Sequence, residues 1–217
     1  MSADNFSKAP PKRSRGRPKL DQTADIEKEL LAVALQEFLQ EGYGGASVSK
    51  IVRNAGMSKT TVYSRFASKE ALFHAIIAQQ IEKLAPAELL GAKLGYYTLE
   101  EGLKNYANHM LSFNLKGELL GVNRLIASES HRFPEVGVAA ANRSRLGIKR
   151  IAEFIRQCAE TDGIPCKDPQ SVAEVFISSL RGWYITVMQS NRKVTAKQRQ
   201  EWVERCIHVL LSSRSNW

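Results

Sequence analysis

Residues 58–65, SKTTVYSR, place four hydroxyl side chains, a phenol, an ammonium and a guanidinium within eight positions. No base stands beside a nucleophile here. The set instead supplies donors and acceptors suited to base edges and phosphate oxygens. Lys59, Thr60, Thr61 and Ser64 are the candidates for base edges or phosphates. Tyr63 can reach a phosphate through its hydroxyl, and Ser58 can cap the helical segment at the point of contact. Ser47 offers the same chemistry at the preceding helix. Lys69 opens a further helix, whose first amides favour an anion. A merely solvated helix would carry some of these residues too, and Tyr63 could pack against a neighbour instead.

Catalytic chemistry finds less support. His74, His109, His131 and His208 fall in separate segments, with no His-Glu-x-x-His set and no phosphate-binding glycine loop. SESH, residues 128–131, sets Ser, Glu and His side by side, but adjacency in sequence does not build a triad. Cys158, Cys166 and Cys206 lack the close spacing of a metal site and the pairing of a disulfide framework. No enzyme activity, metal or cofactor is expected.

These residues must be positioned by helices. Leu30, Leu31, Ala34, Leu35, Phe38 and Leu39 recur at helical spacing, until Gly42, Gly44 and Gly45 interrupt them. Ser47 caps a second helix with Val48, Ile51, Val52 and Ala55 inward, and Gly56 ends it. A third is predicted over 58–66, held by Val62 and Phe66. Ser68 starts a fourth, bearing Leu72, Phe73, Ile76 and Ile77. Downstream, helical periods cover 99–114, 117–130, 134–159, 170–189 and 196–211, with no sustained strand alternation. An all-α protein is predicted. Short helices around a tight corner can pack as a helix-turn-helix, with the second of the pair in the major groove.

The stretch from Ala34 to Ile77 resembles the DNA-binding domain of the TetR family of transcriptional regulators. The likeness is carried by Phe38, Gly42 with Tyr43, Ile51 with Val52, Ala55 with Gly56, Met57 with Ser58, Tyr63 with Phe66, and Lys69 with Glu70 and Leu72. Val52 and Met57 depart from the family's usual Ala and Val, each an exchange of one apolar side chain for another. By this resemblance Lys59, Thr60, Thr61 and Ser64 face the groove, and Ser47, Tyr63 and Lys69 hold phosphates. It also implies a helical ligand-sensing and dimerisation domain, with a dimer interface made by the last two long helices.

Charge supports a polyanionic partner. The chain has 31 Lys and Arg against 22 Asp and Glu, a formal charge of +9. Residues 1–20 hold six basic residues and one acidic, with three prolines and little apolar material, so they read as an unfolded basic arm. Within it, RGRP looks like an AT-hook, with Arg15 and Arg17 suited to a narrow A·T-rich minor groove. A non-specific basic tail explains the same residues. No apolar run approaches the ~20 residues of a membrane span, and no secretory signal opens the chain, so a cytoplasmic protein is expected.

In the remaining helices, Tyr106, Met110, Phe113, Asn123, Phe154, Phe176 and Trp183 are candidate walls of a small-molecule pocket, and each could equally fill a core. Val172, Val175, Phe176, Ser179, Leu180, Trp183 and Val187 form one apolar stripe; Ile177, Tyr184 and Met188 form another. Two such faces exceed the needs of one core, and a two-fold homodimer would cover the excess. The domains expected are an arm at 1–22, a helix-turn-helix head at 23–85, and a ligand-binding and dimerisation domain at 86–217. The expected function is a ligand-responsive repressor of an inverted-repeat site on double-stranded DNA. The alternatives are an activator of the same fold and an architectural DNA-binding protein.

Overall fold

The computed structural model describes residues 20–83, 97–190 and 192–217, with side chains from residue 24 to 82 in the first stretch. The arm with Arg15 and Arg17, and the domain boundary at residue 85, lie outside the described residues. Among the described residues the secondary structure is helical: α1 Leu20–Gly45, α2 Val48–Asn54, α3 Lys59–Tyr63, α4 Lys69–Lys83, α5 Leu99–Asn114, α6 Gly117–Glu129, α7 Pro134–Asp162, α8 Pro169–Gln189 and α9 Ala196–Ser212. A 3-10 turn at Arg214–Asn216 follows. Residues 20–22, assigned to the arm by composition, form the first turn of α1.

Local chemistry sets these boundaries. Gly42 sits at φ 66°, a left-handed conformation that kinks α1 and swings Tyr43 into the core. Thr98 and Thr195 each make a reciprocal capping box, with Glu101 and Gln198 respectively. Pro134 and Pro169 stand in the first turns of α7 and α8, where a missing N–H costs nothing, and Gly163 closes α7 at φ 67°.

Two apolar cores follow. The first joins α1–α4 around Phe38, Ile51, Val62, Phe73 and Ile76, and it continues into α6 and α7 through Val122, Leu125, Ile126, Phe133 and Val136. The second joins α5, α7, α8 and α9 around Leu103, Leu111, Ile151, Phe154, Phe176, Leu180 and Val203. Fully burying a side chain such as Phe38 or Phe73 contributes about 1.5–3 kcal/mol. α7 runs along α8, and α5 along α9.

Most of the two apolar stripes of α8 is taken up within the protomer. Phe176, Leu180 and Val187 are buried within the protomer. Ile177, Tyr184 and Met188 line a cavity between α5, α6, α7 and α8. The face of α8 left to solvent is Val175, a member of the first stripe, with Ser178, Gly182 and Thr186.

Candidate functional site

The corner between α2 and α3 is built by hydrogen bonds that leave a few polar tips outward. Ser47 caps α2, its Oγ accepting the Lys50 N–H at 3.4 Å. Gly56 follows α2 at φ 62° and turns the chain, while the Met57 N–H closes on the Val52 carbonyl at 3.1 Å. Ser58 then caps α3, its Oγ accepting the Thr61 N–H at 3.0 Å and lying 2.8 Å from Thr61 Oγ1. Ser64 Oγ donates to the Thr61 carbonyl at 2.9 Å. Val62 and Phe66 are buried and fix the roll of α3.

Lys59, Thr60 and Tyr63 are therefore exposed on the outer side of α3, Tyr63 by 47%. Thr61 is half-buried, and its hydroxyl lies within hydrogen-bonding distance of Ser58 Oγ. Ser58 and Ser64 are exposed with their hydroxyls already in local bonds. Lys69 behaves differently from a free phosphate ligand. Its Nζ donates to the Gly44 carbonyl at 3.3 Å and sits 4.8 Å from the centre of the Tyr43 ring. Burial, followed by the Arg132 charge, lowers its pKa from the ordinary lysine value.

One positioning residue carries no sequence motif. Glu37 on α1 is buried at 4% exposure, yet it holds the start of α2. It accepts the Ser47 N–H at 3.2 Å and pairs with Lys50 Nζ at 2.9 Å. Burial pushes its carboxyl up, but the Lys50 bond, the Ser47 amide and the charges of Lys50 and Arg53 together hold it below the ordinary glutamate value. In sequence it is a polar residue on an apolar helix face, and that mismatch is the signal that could have found it.

The α6–α7 corner plugs into this head. The Phe133 ring lies 4.8 Å from Tyr43 and 5.3 Å from Phe73, centre to centre. The Arg132 guanidinium lies over Tyr43 at 4.6 Å, and His74 Nε2 is 2.8 Å from Glu135 Oε1. Nearby, the hydroxyls of the SESH segment turn back to their own helix, Ser128 to the Leu125 carbonyl and Ser130 to that of Ala127.

Behind the corner lies a cavity of about 630 Å³ between α5, α6, α7 and α8, within the size range of small-molecule sites. Tyr106, Met110, Phe113 and Asn123 line it. Phe154, Phe176 and Trp183 do not, which corrects their assignment to its wall. Phe154 is core: its ring covers Gly102, where a Cβ would fall 2.2 Å from Cζ. Phe176 is wholly buried, and Trp183 stacks on Trp202 at 5.7 Å and 7°. The cavity exists because α7 presents Gly137, Ala140, Ala141, Ser144 and Gly147 to it, all small and at helical spacing. That stripe was legible in the sequence. Arg181, Tyr184 and His109 also line the wall, and they were missed as ligand candidates because a helix period does not say which neighbour a face meets.

Residues 30–76 match the family described as "Bacterial regulatory proteins, tetR family", and residues 101–213 match "AefR-like transcriptional repressor, C-terminal domain". Over 75 residues the chain is 37% identical to the HTH-type transcriptional repressor ComR of Escherichia coli, a match covering 34% of this chain and 33% of that one. The chain thus spans about a third of that relative. It is 24% identical over 155 residues to an HTH-type transcriptional repressor of Mycobacterium tuberculosis, covering 67% of this chain and 78% of the relative. A crystal structure described as a TetR-family regulator from Mesorhizobium loti superposes with TM-score 0.77 at 23% identity, over 88% of this chain and 97% of that one. The flavonoid-responsive regulator FrrA superposes with TM-score 0.67 at 26% identity, over 88% and 97%.

Proposed function

The chain belongs to the TetR family of bacterial regulatory proteins and is a DNA-binding transcriptional regulator, and from that premise we propose that it is a repressor released by a small molecule. It grips an inverted repeat as a homodimer. Residues 1–19 act as a basic arm, 20–85 as the reading head, and 86–217 as the sensing and pairing domain. Lys59, Thr60, Thr61 and Ser64 face the groove and meet base edges or, for Lys59, a phosphate beside the Ser58 cap. Ser47, Tyr63 and Lys69 meet phosphates, Lys69 after leaving Gly44. Arg15 and Arg17 enter the minor groove of A·T-rich flanks.

The observation that carries this reading is a shared wall. Ile81 of α4 and Ile126 of α6 line the cavity, and both belong to the core of the head. A molecule filling the cavity bears on side chains that also pack in the core of the head. Occupancy and head position are thereby coupled, and a ligand that fits one arrangement better shifts the population toward it. The solvent face of α8 with Val175, and Val209 on α9, at 58% and 64% exposure, supplies the pairing surface.

Fluorescence anisotropy on a labelled operator, its isolated half-site and a scrambled duplex tests the proposal across salt. The full repeat should bind at least tenfold tighter than either control. A footprint over the promoter core, with reporter expression rising on deletion of the gene, is expected of a repressor. A footprint upstream with expression lost would make it an activator. Removing residues 1–19, which leaves α1 whole, should flatten the salt dependence and weaken operators with A·T-rich flanks more than those with G·C-rich flanks.

A further inference from the structure

We infer that the cavity takes an organic acid: an apolar, aromatic-sized body carrying one anionic headgroup that seats on Arg181. This rests on the reading of the cavity as the effector site. The charged side chains on its wall are Arg143 and Arg181, the other titratable ones are His109, Tyr106 and Tyr184, and no Asp or Glu lines it. Arg181 projects from α8, with its NH1 donating to Ser144 Oγ on α7 at 2.9 Å, a neutral partner. Among the described residues no carboxylate lies within ion-pair distance of it.

A guanidinium on a largely apolar wall with no counter-charge is electrostatically unfinished. A carboxylate or sulfonate completes it through two parallel charge-assisted N–H bonds, stronger than those a neutral acceptor makes, while a cationic molecule is repelled. Ser144 holds one edge of the guanidinium and so fixes its plane. Around this anchor the wall is apolar and aromatic: Tyr106, Met110, Phe113, Ile177 and Tyr184. Tyr106 adds a donor. The residue is buried, and its hydroxyl oxygen lies beside Gly147 on the cavity wall. Burial pushes its pKa up to about 12, so it keeps its proton and can bond an acceptor on the ligand. Gly147 leaves the room this needs, since a Cβ there would lie 3.1 Å from the Tyr106 oxygen.

The test uses the full chain and two dyes of one shape, anilinonaphthalene sulfonate and the uncharged N-phenylnaphthylamine. The sulfonate should bind at least tenfold tighter, and naphthoate should displace it where naphthylmethylammonium does not. Arg181→Met should reduce sulfonate affinity at least tenfold and leave the uncharged dye within about twofold. Arg181→Gln, which can still bond Ser144, is measured beside it, so a folding defect in one leaves the other to decide. Ala141→Phe, which fills the wall, should abolish both signals. Equal affinity of the two dyes for the wild type, equal losses in the Arg181 variants, or binding that survives Ala141→Phe overturns the inference. Operator release is read separately. Charge-selective binding without release would defeat the effector reading and keep the anion site. Release by the uncharged dye alone would do the reverse.

Discussion

Glu37 shows how one carboxylate can organise a contact surface it never reaches. It ties α1 to the first amide of α2 and to Lys50, so Glu37→Gln should destabilise the protein by about 1–3 kcal/mol, the usual cost of losing a charge-assisted bond at a buried site. Its folded pKa lies below its unfolded one. The stabilisation is therefore fully present above the ordinary glutamate value and is lost as pH falls through the depressed folded value. Thermal melts across acid pH should show that loss in the wild type and not in Glu37→Gln. On the outer surface, Tyr63→Phe removes only a hydroxyl. Affinity for operator and scrambled duplex should fall together, by roughly two- to tenfold, because a phosphate contact carries no sequence information. Lys59→Ala should reduce the salt slope of binding by about one, read from affinity against salt concentration. An unchanged slope with intact folding would take Lys59 off the DNA.

The helices themselves were largely legible. Thr98 and Thr195, Pro134 and Pro169, and the glycines at 42, 56 and 163 each stand where a helix starts, stops or turns, because caps and left-handed residues are local chemistry. Ser58 was expected to open a longer third helix, yet α3 ends at Tyr63, with Ser64 as its cap. What periodicity could not give was partnership. Ile177, Tyr184 and Met188 read as surplus apolar area, and only packing against α5, α6 and α7 reveals them as a cavity wall. Phe154 and Phe176 were chosen as ligand contacts for being aromatic, whereas burial places them in the core. At this scale the corner between α6 and α7 is the joint to break. Phe133→Ala should cost about 3–5 kcal/mol by emptying a packed aromatic cluster. Phe133→Leu should retain the fold and DNA binding while weakening any coupling between cavity and head, measured as the ligand-induced change in operator affinity.

For the whole molecule the open question is symmetry. Gly182 lies on the solvent face of α8, and a Cβ there would meet nothing within 4 Å. A side chain at this position is harmless to the protomer and obstructive to a partner on that face. Gly182→Lys should melt like the wild type, sediment as a monomer, and bind the full operator no better than a half-site. A dimer of unchanged strength would move the pairing surface elsewhere. The reason for the expected loss is geometric, since two heads reach grooves about 34 Å apart only when one rigid interface spaces them.

The small-residue wall of α7 has a consequence for how such a regulator can change over generations. Ala141 lies on the cavity wall and is exposed, outside both apolar cores, so if the cavity is the effector site as proposed, substitutions there are expected to alter which molecules fit while sparing the grip on DNA. Ile81 and Ile126 have no such freedom, because each belongs at once to the cavity and to the head. On the proposed reading, exchange of one chemical signal for another is open to the cavity-facing positions of α7 that lie outside the head's core, without rewriting the sequence the protein reads.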